Sequence, residues 1–108
     1  MDAVKVLVIW VDGSSSIEVI YINQLHEYVG DYKIIPHFEC MLVCSSHDKD
    51  EINEAAMEVA TEMGIHVGNL HGNVIVTGKR MINGRVSSIN TIVSEDIVNH
   101  LEMRGVQA

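Results

Sequence analysis

Hydrophobic positions fall into a few dense runs separated by short polar breaks, and each run has a readable period. Val4-Lys5-Val6-Leu7-Val8-Ile9-Trp10-Val11 is almost entirely β-branched or large and apolar, the composition of a strand covered on both faces. A place inside a sheet is expected for it. Asp12-Gly13-Ser14-Ser15-Ser16 ends the run, and two readings of the next segment compete. A helix capped by Ser15, with Glu18 three residues on, places Ile17, Tyr21, Leu25 and Tyr28 on one face. A hairpin through Asp12-Gly13 makes Ile17 to Ile22 the next strand. The helix is preferred, because the 3.6 spacing continues to Val29 and Gly30 supplies a stop.

Lys33 to Cys44 reads as one strand entered through Pro36, with Phe38, Cys40, Leu42 and Cys44 on one face and Met41 and Val43 on the other. Asp48 to Met63 reads as a helix, its stripe formed by Ile52, Ala55, Ala56, Val59, Ala60 and Met63, its cap by Asp48 with Glu51, and its end by Gly64. Ile65-His66-Val67 is expected as a short strand and residues 68–73 as a loop. Val74 to Thr77 and Val86 to Val93 flank Asn83-Gly84, which predicts a C-terminal β-hairpin with a type I′ turn. A last helix starts at Ser94, buries Ile97, Leu101 and Val98, and ends near Arg104 and Gly105.

The expectation is therefore an α/β or α+β fold. It is a single small layered sandwich, approximately β-α-β-α-β-β-β-α, with a mixed sheet and one domain over residues 1–108. Whether the sheet is wholly parallel or mixed does not follow from the pattern.

Composition narrows the function classes. Fifteen Asp and Glu stand against seven Lys and Arg, a formal charge of -8, which disfavours counterion-driven binding to nucleic acid. No apolar run reaches the ~18 residues of a membrane helix, and Met1-Asp2 lacks the basic start of a signal peptide. A soluble cytoplasmic protein is expected, with Cys40 and Cys44 as thiols in a reducing compartment.

Four groups of residues have candidate chemistry. Asp12, Ser14 and Ser16 offer hard oxygens at a strand end, suited to Mg²⁺ or Mn²⁺. The spelling Asp-x-Ser-x-Ser resembles the metal-ion-dependent adhesion motif of von Willebrand A domains over these five residues and the strand before them, with no matching later Thr or Asp-Gly element. His47, Asp48, Asp50 and Glu51 follow a second strand. A strand ending in Val11-Asp12-Gly13, then Ser45 to Asp50 before a helix and Gly64-Ile65-His66-Val67, resembles the PIN-like nucleases, without the acid usual midway. Asp12, Asp48 and Asp50 as ligands, Ser14 orienting a metal-bound water, and Lys79 or Arg80 meeting phosphate would make a divalent-metal-dependent phosphodiesterase or nuclease.

Glu51, Glu54, Glu58 and Glu62 recur at three or four residues without an intervening Lys or Arg, an arrangement that repels itself and suits a basic partner. His66 and His71 bracket a Gly-rich turn near Lys79, Arg80 and Arg85, groups able to hold an anion. No Walker loop, nucleophile elbow or dinucleotide fingerprint occurs. The preferred reading is a small acidic interaction or regulatory protein without catalytic activity, needing no cofactor. It would bind another protein through the acidic residues and the basic hairpin, with the metal phosphodiesterase as the alternative. A homodimer is also expected, because so short a chain cannot readily hide Trp10, Tyr21, Phe38, Met41, Met57 and Met81 in one core. The hairpin or residues 17–29 would form its interface.

Overall fold

The first break in the chain is a tight hairpin turn. Trp10 N–H donates to Ser14 C=O (2.9 Å) and Gly13 N–H donates to Trp10 C=O (2.9 Å). Gly13 has φ +92°, so this is a type I turn closed by a glycine bulge. It joins β1 (Ala3–Ile9) to β2 (Ser15–Tyr21), with Leu7 opposite Ile17 and Val8 opposite Ser16. The helix preferred over residues 15–21 is thus corrected to a strand. The turn fixes the register, and the β-branched residues Ile17, Val19 and Ile20 then pack on a pleat better than on a helix. Helical spacing survives only further on, in a 3₁₀ turn (Ile22–Gln24) followed by α1 (Leu25–Val29), with Gly30 at the end at φ +77°.

The computed structural model describes residues 3–38, 40–79 and 86–107. The single strand expected over Lys33 to Cys44 is instead two, β3 (Tyr32–Pro36) and β4 (Cys40–Ser45). Pro36 closes β3, and His37 N–H donates to Cys40 C=O (2.9 Å) across the reversal. Phe38 consequently leaves the core and is 89% exposed, whereas Cys40, Leu42 and Cys44 keep the face assigned to them. β5 (Val74–Gly78) completes a sheet of order β2-β1-β5-β4-β3. Every described pairing in it is antiparallel, where a mixed sheet was expected, because short turns rather than long crossovers make two of the connections.

The helix expected from Asp48 begins later, as α2 (Glu54–Glu62). Its cap is Asn53, whose Oδ1 accepts the Ala56 N–H (3.0 Å), rather than Asp48. Residues 51–53 pair with residues 70–72 instead of coiling. Asn53 N–H donates to Leu70 C=O (2.8 Å), Gly72 N–H donates to Glu51 C=O (2.7 Å), and Ile52 bridges His71. Ile52 therefore falls outside the buried stripe. At the other end, Gly64 (φ +77°) and Ile65 donate back to Thr61 and Ala60 C=O (3.0 and 2.8 Å), a Schellman closure. That closure spends the Ile65 backbone on the helix, and the short strand expected at 65–67 does not form.

Asn83-Gly84 and its turn lie outside the described residues. On their flanks Gly78 N–H donates to Ser87 C=O (2.9 Å) and Ser87 N–H donates to Lys79 C=O (3.1 Å). A side chain at Gly78 would collide with the backbone of Ser88, so the close approach requires glycine there. Among the described residues no strand forms over the stretch expected from Val86 to Val93. Ile89 N–H joins Lys5 C=O (2.9 Å) on β1, Asn90 Oδ1 accepts the Ile92 N–H (2.8 Å), and α3 (Thr91–Gln107) starts before Ser94.

The result is an α+β sandwich with two apolar layers. On one sheet face Leu7, Ile9, Leu42, Val74 and Val76 pack under α2 and α3 through Ala55, Ala56, Val59, Ala60, Ile97 and Leu101. On the other, Val4, Val6, Val8, Ile20, Val43 and Ile75 lie under α1 through Leu25 and Val29. Among the described residues no helix is long and apolar enough to cross a membrane.

Candidate functional site

The acidic residues of α2 are exposed, but two of them have a counter-charge. Arg104 of α3 reaches across the helix pair, donating through Nε to Glu58 Oε2 and lying 3.7 Å by Nη2 from Glu54 Oε2. Two of the four glutamates thereby gain a counter-charge, which relieves the repulsion read from their spacing. Glu62 keeps an exposed carboxylate further along α2, and Glu51 lies in the preceding loop, also exposed.

Between α2 and α3 runs a groove continued by the β3–β4 reversal. One lobe, about 740 Å³, has Val59, Met63, Val93 and Ile97 along its floor and Phe38, Glu62, Asp96 and His100 about its rim. A second, about 710 Å³, shares Glu62 and His100 with the first and adds Met57, Met103, Glu58 and Arg104. Phe38 stacks obliquely on His37 with ring centroids 5.4 Å apart, which holds an otherwise unsupported aromatic at the lip. Methionines on the floor adapt to differently shaped apolar partners, and the carboxylates above them favour cationic ones.

The remaining candidates are distributed elsewhere. Asp12 Oδ1 accepts both the N–H and the Oγ–H of Ser14 (2.9 and 2.6 Å), and these bonds hold its carboxyl below the usual carboxylate range. Ser16 Oγ accepts the Trp10 indole N–H (3.0 Å). Asp50 Oδ2 accepts the Ser45 hydroxyl (2.7 Å), while Asp48 lies exposed in the same loop. β1 and β4 both run antiparallel to β5, so their carboxyl ends point the same way with β5 between them. That separates the Asp12 turn from the Asp48–Asp50 loop by two strand spacings, roughly 10 Å. Among the described residues no three His, Cys, Asp or Glu side chains gather as a metal site.

His71 Nδ1 lies 2.8 Å from Asp50 C=O and is turned onto the chain, whereas His66 is exposed in the loop after α2. Lys79 is exposed, its C=O accepting from Ser87, and Arg80 and Arg85 lie outside the described residues. His47 Nε2 sits 2.9 Å from Asp31 Oδ2, a hydrogen bond that raises the imidazole above its ordinary value. Cys40 and Cys44 are buried thiols, and burial pushes the Cys44 thiol up.

Sequence reasoning finds Glu54, Glu58 and Glu62 but misses the other wall. Val93, Asp96, Ile97 and His100 sit one helical turn apart, a spacing that a helix placed from Thr91 would reveal. Phe38 is hidden when Lys33 to Cys44 is read as one strand. Comparison with protein-family models, with curated proteins and with solved structures found no match for this chain.

Proposed function

We propose that this chain is a non-catalytic interaction protein that takes an amphipathic, basic segment of another protein into the groove between α2 and α3. The observation that carries the reading is the pairing of an apolar, methionine-containing floor with acidic rims on both helices, Glu62 on one and Asp96 on the other. An amphipathic helix presents apolar anchors at i, i+3, i+4 and i+7 with Lys or Arg beside them, the complement of this surface. A regulatory role follows from a binding event of this kind rather than from bond chemistry. Buried thiols suit the reducing cytoplasm. The homodimer belongs to the same reading, since two copies would offer two grooves and gain avidity toward a repeated partner.

Calorimetric titration with a synthetic Leu/Lys amphipathic helix tests it. Saturable binding at one peptide per chain, weakening as salt rises, is the expected result. Binding of a Leu/Glu peptide equally well, or no saturation with the Leu/Lys peptide, would refute it.

A further inference from the structure

The outer edge of β2 is open in a way the other sheet edge is not. The turn bonds pair Trp10 with Ser14, and the ladder alternates from there. The main-chain groups of Ser16, Glu18 and Ile20 therefore face β1, and those of Ser15, Ile17, Val19 and Tyr21 face outward. Tyr21 N–H bears out the direction, since it leaves β1 and donates to Gln24 Oε1 (2.8 Å). No strand among the described residues pairs with the outward groups of Ile17 and Val19. Three side chains of this edge are apolar and exposed, Ile17 by 43%, Val19 by 68% and Tyr21 by 48%. At the opposite edge, β3 has five residues against seven, ends in Pro36 and exposes Lys33, features that blunt strand pairing.

We propose that β2 pairs with β2 of a second copy, antiparallel about a two-fold axis through Val19, joining the two sheets into one. The proposal rests on the homodimer reading above and assigns its surface. With Val19 on the axis, Ile17 lies opposite Tyr21 of the second copy, an aromatic with a β-branched side chain. Glu18 then meets Ile20 of the second copy rather than another Glu18. Assembly stops at two copies, because it consumes the open edge and leaves, among the described strands of the sheet, only the edge guarded by Pro36 and Lys33. The exposed parts of the three side chains amount to roughly 300 Å² per copy, against about 800 Å² in a standard interface. The dimer is therefore weak and reversible, and not obligate. A charge of -8 on each copy opposes contact, so added salt tightens it. An added basic peptide strand on the same edge would show the reverse salt dependence.

Sedimentation equilibrium over about 1–200 µM protein, in about 0.15 and 0.5 M salt, tests the proposal on the whole chain. A monomer–dimer equilibrium that tightens with salt is expected, weakened at least tenfold by Val19→Lys with an unchanged urea midpoint. Val19→Cys supplies a second readout, because residues facing each other across the axis stand ~5.5 Å apart by Cα, within disulfide reach. It should form a disulfide dimer on mild oxidation, and Tyr32→Cys at the other edge, opposite Ser45 rather than a cysteine, should not. A dimer untouched by Val19→Lys and not cross-linked by Val19→Cys would overturn the assigned surface while leaving the homodimer standing. A monomer at every concentration and salt would overturn both.

Discussion

Replacing Asn53 with Ala should be among the most damaging single changes in the chain. Asn53 is fully buried and joins three parts of the fold. Its Nδ2 donates to Ile9 C=O at the end of β1 and to Gly72 C=O in the loop before β5, each at 2.9 Å, while Oδ1 caps α2 through the Ala56 N–H. Loss of the cap costs about 1 kcal/mol. Each of the other two bonds contributes about 1 kcal/mol net, more where the abandoned carbonyl stays buried. The sum is about 3–4 kcal/mol, a large part of the ~5–15 kcal/mol that holds a domain together. Urea unfolding checks it: with an m-value near the middle of ~1–3 kcal/mol/M, the midpoint should fall by about 2 M at unchanged m. Asn53→Ser retains a cap acceptor without the two donors and should lose about 2 kcal/mol. Asn53→Asp also retains the cap but aims a carboxylate at two carbonyls, and should be no better than Ala at neutral pH. A loss below about 1 kcal/mol for Asn53→Ala, or tolerance of Asn53→Asp, would contradict this role for the side chain.

Three further outcomes are expected. Gly13→Val should cost about 1 kcal/mol or more by thermal or urea unfolding, because a β-branched residue resists φ +92°; an unchanged midpoint would contradict the bulged turn. Arg104→Gln should cost under about 1 kcal/mol, since its partners are exposed, yet tighten binding of the Leu/Lys peptide by freeing Glu54 and Glu58; weaker binding would count against the groove. The raised pKa of His47 means that its bond to Asp31 stabilises the fold below the ordinary histidine value of ~6.5 and is lost as pH rises through the folded value. An imidazole NMR titration should show that pKa fall back in Asp31→Asn; an unmoved value would sever the link.

Local patterns declare the buried elements and miss what tertiary contacts decide. The run from Val4, the stripe Ala55, Ala56, Val59 and Ala60, and the burial of Ile97 and Leu101 all follow from period, because burial on a fixed face imposes it. Ile17 to Tyr21 satisfies both periods, and the choice falls to the short loop closed by Gly13, whose hairpin signal is outweighed by helical spacing when only the local sequence is counted. Asp48 and Asn53 are both valid caps. Asn53 prevails because it alone reaches Ile9 and Gly72 across the sheet, a long-range fact with no local signature. The acidic wall of the groove is legible in Glu54, Glu58 and Glu62. The opposing wall is not, since Asp96 and His100 acquire a role only once α3 lies beside α2. Nor can the pairing of Arg104 with Glu54 and Glu58 be read at that sequence separation.

The functional proposal stands or falls on the α2–α3 groove receiving a basic amphipathic partner. Amide shift mapping of the isotope-labelled protein during titration with the Leu/Lys helix decides it. Perturbations should concentrate at His37 and Phe38, along Met57 to Met63 and along Val93 to His100, and should be abolished when Glu62 and Asp96 are both changed to Lys. Shifts centred on the Asp12 turn or on His66 and His71, or an undiminished response in the charge-reversed protein, would contradict it.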